Sequence, residues 1–211
     1  MTDSSENKKS SKILPKQARA IRTRELILNT TADLLAEFGF DKLTTNLVCK
    51  RAGLTPPALY NYFPNKYALV DELGKRLSDE QDAIILHWLQ GQNGGIPTSA
   101  QFFELFQKLH ESNLQHPSSE WIYRSLRAIK PHHDPEVFSM EVASDWCTHW
   151  LAEIFSDADR EMIANRVRIS AEAVFGVLTM LLAYPQKDSE KILKETSEMV
   201  SMFLNDIKNK G

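Results

Sequence analysis

LTTNLVCKRAGLTPPALYNYFPNKYALV, residues 43–70, decides the fold. Thr44 or Thr45 can cap a short helix that runs to about Ala52 with Val48 and Cys49 on its inner side, and Gly53 stops it. After the tight turn Ala52-Gly53-Leu54, Thr55 is placed to cap a second helix, predicted over about Pro56–Tyr62. Pro56 and Pro57 are tolerated at its start because the first helical N–H groups have no intrahelical partner. Pro64 ends that helix, and Asn65 can cap a long one from Lys66 towards Gln90. Two short helices joined by a tight turn form the unit that lays its second helix in a DNA major groove. Leu54, Leu59 and Phe63 are spaced to pin this second helix to a core, which leaves Pro57, Ala58, Tyr60, Asn61 and Tyr62 facing outward. Exposed aromatics on one short helix point to a binding surface.

Upstream, residues 1–14 are rich in Ser, Lys, Asn and Asp with almost nothing to bury, and are expected to be a disordered basic tail. From Lys16, Ile21, Leu28, Leu35 and Phe38, joined by Ile27, Thr31 and Leu34, recur at helical spacing until Gly39. Downstream, Leu69, Leu73, Leu77, Ile84 and Leu89 mark the buried face of the long helix, and residues 91–97 form a linker. Further helices are expected near 98–115, 117–129, 135–155, 158–184 and 188–208, broken by Pro117, Pro131, Pro135, Ser156 and Pro185. The expected architecture is all-α with about nine helices. A three-helix DNA-binding domain at 15–65 precedes a helical ligand-binding and dimerisation domain at 66–211.

Composition agrees with a nucleic-acid-facing head on a body that does not bind. Residues 1–76 hold 13 Lys and Arg against 8 Asp and Glu, and the rest hold 12 against 20, so the net charge of −3 hides a basic N-terminal third. The two cysteines, Cys49 and Cys147, are far apart in helical stretches, which suggests neither a disulfide framework nor a zinc knuckle. No apolar run reaches the roughly 18 to 20 residues of a membrane helix, and the first residues lack the hydrophobic block of a secretory signal, so a cytoplasmic protein without membrane contact is expected.

Residues 17–70 resemble the DNA-binding signature of the tetracycline-repressor (TetR) family. The match includes the paired threonines, the alanine-glycine turn, the Ala-Leu-Tyr core of the third helix and the Tyr-Phe-Pro-Asn-Lys exit. The resemblance implies that Thr45 binds a phosphate, that Asn46 reaches a base edge, and that Thr55 lies close to the DNA backbone. Tyr60 and Tyr62 match residues that contact phosphates or sugars. Lys66 matches the lysine that, with a helix N-terminus, holds one phosphate. Asn61 is the candidate base reader, since an amide bonds bidentately to adenine N6 and N7. Pro56 and Pro57, where many relatives carry polar or small residues, offer with Ala58 only apolar contact, which shifts recognition towards DNA shape.

In the last two helices apolar residues cover more than one core face. Val174, Val177, Leu178 and Leu181 with Met199 and Phe203 are the expected dimer interface, a four-helix contact as in the family. A dimer sets two recognition helices about 34 to 36 Å apart, one turn of a palindromic operator. Phe106, Trp121, Trp146 and Trp150, with Tyr123, Arg124, Arg127 or His149 as polar anchors, are candidates for a cavity that takes an apolar or aromatic effector. The resemblance implies a repressor whose ligand shifts the long helix and changes the spacing of the two heads. Gly74 in that helix reads as a bend or a close-packing site.

Two rival readings are a metal sensor and a regulator controlled by a protein partner without a small ligand. His132, His133 and Asp134 are adjacent, and Asp145, His149 and Glu153 lie four apart on one helical face, spacings that can converge on a metal. Adjacent histidines do not easily share one ion, and no HExxH, phosphate loop or nucleophile elbow is present, so neither an enzyme nor a bound cofactor is expected.

Overall fold

A computed structural model of the chain describes residues 7–92, 94–128 and 140–209. Among the described residues lie nine α-helices and no strand. They form two compact units, the first ending at Leu73 and the second beginning at Gly74.

The first unit is built on α1 (Asn7–Lys42), α2 (Thr45–Ala52), α3 (Pro56–Tyr60) and the opening turns of α4 (Lys66–Gln90). Helix α1 starts well ahead of Lys16, the start that apolar spacing predicts. Extending an existing helix adds one hydrogen bond per residue fixed, and so needs no apolar face of its own. Gly39, at φ 72° and ψ 176°, interrupts α1 where the sequence places its end. The core is the middle of α1 (Ile27, Leu28, Leu34, Leu35) with Leu43, Val48, Leu59, Leu69 and Val70, all fully buried. Thr31 joins them because its hydroxyl donates to the Ile27 carbonyl at 2.8 Å. Ile21 and Phe38, expected on the inner face, are exposed. Ile21 lies more than a turn before the first buried position, and Phe38 stands at the interruption of the helix.

Gly53 sets the turn between α2 and α3. Its φ of 67° lies in the left-handed region that glycine enters without strain, and its N–H closes the helix on the Cys49 carbonyl. At the other end of α2 the Thr44 hydroxyl accepts from the Leu47 N–H at 3.1 Å. Asn65 caps α4 in the same way, its side-chain oxygen accepting from the Ala68 N–H at 2.9 Å.

The second unit contains the rest of α4 with α5 (Ser99–Gln115), α6 (Ser119–Ala128), α7 (Met140–Ile154), α8 (Arg160–Ala183) and α9 (Ser189–Asn205), followed by a 3-10 turn. Thr98 opens α5 with a capping box: it accepts from the Gln101 N–H, and the Gln101 side chain accepts from the Thr98 N–H at 2.9 Å. Asp159 and Asp188 cap α8 and α9 through their carboxylates. Phe102, Leu105 and Leu109 of α5 pack with Leu193, Val200 and Leu204 of α9 and with Val167, Val174 and Leu178 of α8 into one apolar core. Gly74 fills a close-packing role, since a Cβ there would lie 2.6 Å from the Leu126 side chain. No helix of the described residues is long and apolar enough to cross a membrane.

Candidate nucleic-acid interface and effector cavity

Helix α3 buries Leu59 and, just beyond its end, Phe63, so its other side chains stand outward. Tyr60 is 49% exposed; Thr55, Pro56, Pro57 and Asn61 are exposed, and Ala58 and Tyr62 half-buried. The helix ends at Tyr60, earlier than the sequence suggests, and Asn61 occupies its C-terminal cap. The Tyr60 hydroxyl lies 3.1 Å from that of Thr45 at the start of α2, which ties the two helices' outer faces together. Asn46 and Lys50 stand exposed on α2, while Arg51 is held by Glu37 at 2.9 Å. Prolines at the first two positions remove N–H groups from the α3 N-terminus, and the Thr55 hydroxyl makes no cap hydrogen bond there. Lys66 is half-buried: its ammonium donates to the Phe40 carbonyl at 3.4 Å and sits 4.1 Å above the Phe40 ring. Thr45, Asn46, Tyr60, Asn61 and Lys66 thus all belong to the first unit, with Lys66 partly engaged by its own protein.

The second unit contains a partly open cavity of about 160 Å³, in the size class of cavities of roughly 150 Å³ that admit a benzene ring. Its wall is largely apolar and aromatic: Trp88, Phe102, Phe106, Trp150 and Phe175 with Leu105, Leu109, Val174 and Leu178. Its polar groups are Ser78, Gln81 and Asp82 of α4 with Tyr123, Ser144 and Ser170 of the later helices. The Gln81 amide donates to the Asn113 side-chain oxygen and to the Tyr123 hydroxyl, both at 2.6 Å, and that hydroxyl donates to the same Asn113 oxygen at 2.8 Å. The next residue back, Glu80, accepts from the Ser112 hydroxyl at 2.7 Å and pairs with His116 at 2.9 Å. Burial alone would push Glu80 up, but these two hydrogen bonds and the His116 charge outweigh it and hold the carboxyl below its ordinary range.

Burial pushes the Asp82 carboxyl up from 3.8 to about 6; Asp79 adds to the rise and Lys75 opposes it. A carboxyl with a higher pKa folded than unfolded stabilises the fold relative to its ionised form below pH 3.8, and that contribution is lost as pH rises through about 6. Asp82→Asn is therefore expected to raise stability at pH 7 by about 1 kcal/mol, a rise in pKa from 3.8 to about 6 discounted for the half-exposed site. The gain shrinks towards zero at pH 4, and urea denaturation at the two pH values checks the difference.

Residues 27–73 match the family described as bacterial regulatory proteins, tetR family. Over 54 residues the chain is 41% identical to tetracycline repressor protein class C of Escherichia coli, an overlap of 26% of this chain and 25% of that one. Residues 27–73 are thus a DNA-binding domain of the tetR-family kind. The sequence match to tetracycline repressor proteins spans only about a quarter of their length. The fold extends further. A TetR-family transcriptional regulator from Streptomyces coelicolor is similar over 88% of this chain and 99% of its own at 20% identity, with a TM-score of 0.64. A TetR variant from Acinetobacter baumannii AYE, solved in complex with minocycline, is similar over 87% and 94% at 17% identity, with a TM-score of 0.59.

Within the second unit, the expected effector residues divide. Phe106, Tyr123 and Trp150 line the cavity. Trp121, Arg124, Arg127, Trp146 and His149 do not, because each is satisfied elsewhere. Arg124 pairs with Glu120 at 3.0 Å and lies over the Trp121 ring, and Arg127 pairs with Glu172 at 2.6 Å over Phe175. His149 is taken by the Asp145 carbonyl and Arg160, each at 2.8 Å, and Trp146 packs against the outside of the core. The expected dimer residues divide too. Val174 and Leu178 line the cavity and Leu181 is buried, because the inner stripe of α8 packs within the protomer. Val177 and Phe203 are half-buried and Met199 exposed. Among the described residues no group of three His, Cys, Asp or Glu side chains could hold a metal, so Asp145, His149 and Glu153 do not converge on one. His132, His133 and Asp134 lie outside the described residues. Sequence reading missed Ser78, Gln81 and Asp82; three polar residues at the inward spacing of α4, between buried Leu77 and Trp88, were the available signal.

Proposed function

We propose that the protein is a transcriptional repressor that binds a palindromic operator as a dimer and releases it when an apolar or aromatic small molecule enters the cavity of the second unit. The observation that carries this reading is the outward row of Tyr60 and Asn61 on a short helix whose inner face is pinned by Leu59. Both side chains are exposed, and they lie in the residues that match the tetR-family domain. Ile169 and Tyr184 of α8 and its cap, with Met199 and Met202 of α9, leave large apolar side chains exposed and support a dimer along these helices. A protein with this role works in the cytoplasm, beside the chromosome.

The test is retention of the DNA upstream of the protein's own gene, titrated with salt. Asn61→Ala is expected to lose about 1 to 3 kcal/mol on the preferred sequence and to discriminate less between sequences. Lys66→Ala is expected to weaken all sequences about equally and to reduce the salt slope by about one. Absence of any specific fragment at moderate salt overturns the reading.

A further inference from the structure

The cavity of the second unit holds a carboxylate, Asp82, to which the described residues supply no hydrogen bond or ion pair. On α4 the charged and polar neighbours of Asp82 are engaged: Lys75 with Asp79 at 3.0 Å, Glu80 with Ser112 and His116, Gln81 with Asn113 and Tyr123. Asp82 makes no hydrogen bond or ion pair among the described residues, although it forms part of the cavity wall. No Lys, Arg or His of the described residues lines that wall. The other titratable groups there, Tyr123 and Cys147, are kept neutral by burial, the thiol pushed up to about 12. A half-buried carboxylate in a largely apolar wall is partly stripped of water, and a cation entering the cavity would compensate it.

The rings around it narrow the chemistry. Trp88, Phe102, Phe106, Trp150 and Phe175 line the cavity, and the negative face of an aromatic ring attracts a cation. An anionic ligand would meet Asp82 as a like charge with no base in the wall to offset it. A neutral apolar ligand would gain nothing from the carboxylate. We propose that the cavity takes a lipophilic cation, an ammonium group carried on an aromatic or aliphatic body, with Asp82 as its counter-ion. This names the class of effector for the regulator proposed above and rests on that reading.

The experiment compares three probes with one apolar body and different heads: phenylbutylamine, phenylbutanol and phenylbutyrate. Binding to the full-length chain is followed by calorimetry and by quenching of tryptophan fluorescence, since Trp88 and Trp150 line the cavity. The amine is expected to bind about tenfold or more tightly than the alcohol, and the carboxylate most weakly. Asp82→Asn brings the amine down to the alcohol's affinity and leaves the alcohol unchanged, whereas Asp82→Glu keeps the preference. Equal affinities in the wild-type chain, a preference that survives Asp82→Asn, or no binding of any probe overturns the proposal. The comparison of heads on the wild-type chain decides even if a variant fails to fold. Operator retention is measured on the same preparation without probe. DNA binding without an amine preference sinks this inference alone, and an amine preference without DNA binding sinks the regulator reading alone.

Discussion

Leu59→Ala is expected to unfold the DNA-binding unit selectively, lowering its stability by about 2 to 5 kcal/mol and abolishing operator retention. Leu59 is fully buried and is the only buried residue within α3. A five-residue helix closes too few hydrogen bonds to outweigh its nucleation cost, so α3 exists because it packs on α2 and buries Leu59 and the following Phe63. Removing three carbons from Leu59 weakens the one attachment inside the helix and leaves a void at a fully buried position. The measurement is made possible by the placement of chromophores: all four tryptophans lie beyond Leu73, in the second unit. A lower-lying transition should appear in far-ultraviolet circular dichroism without a matching change in tryptophan fluorescence. If both signals shift together by the same amount, the two units do not melt separately and the selective effect is wrong.

The first unit was legible because its residues obey local rules. Thr44, Gly53, Pro56, Pro64 and Asn65 each have one physical use at their positions, and together they place three helix boundaries within a residue or two. The cavity was less legible because lining a void and filling a core call for the same apolar side chains. Val174 and Leu178 read as surplus apolar surface for a second copy, whereas they face inward across the cavity. Arg124, Arg127 and His149 read as polar anchors for an aromatic cavity, but Glu120, Glu172 and Arg160 engage them away from its wall; of these pairs only Glu120–Arg124, four apart on α6, is visible in the sequence. Asp82 was hidden by its own helix: beside Asp79 and Glu80 it reads as one more solvated acid, and only the packing of α5 to α8 makes it part of the cavity wall.

Arg166 carries the other large expected effect. Its side chain is 7% exposed, and its guanidinium donates to the Phe203 carbonyl and to the Asp206 carboxylate, the latter at 2.7 Å, while lying over the Phe203 ring. The Phe203 carbonyl belongs to the last turn of α9, where no further N–H in the helix is available to it, and the cation also faces the negative end of the helix dipole. One planar fork thus fastens the first turns of α8 to the end of α9. Arg166→Ala is expected to cost about 3 kcal/mol in urea denaturation followed by tryptophan fluorescence. That is the low end of the roughly 3 to 5 kcal/mol for breaking a buried pair, because Asp206 keeps partial access to water. Arg166→Lys should recover less than half, since an ammonium cannot bond the carbonyl and the carboxylate in the same plane. Arg166→Met in an Asp206→Asn background should cost less than Arg166→Met alone, because no charge is then left without its partner. A cost below about 1 kcal/mol for Arg166→Ala would mean that water replaces the guanidinium at the end of α9, and the fastening role would fall.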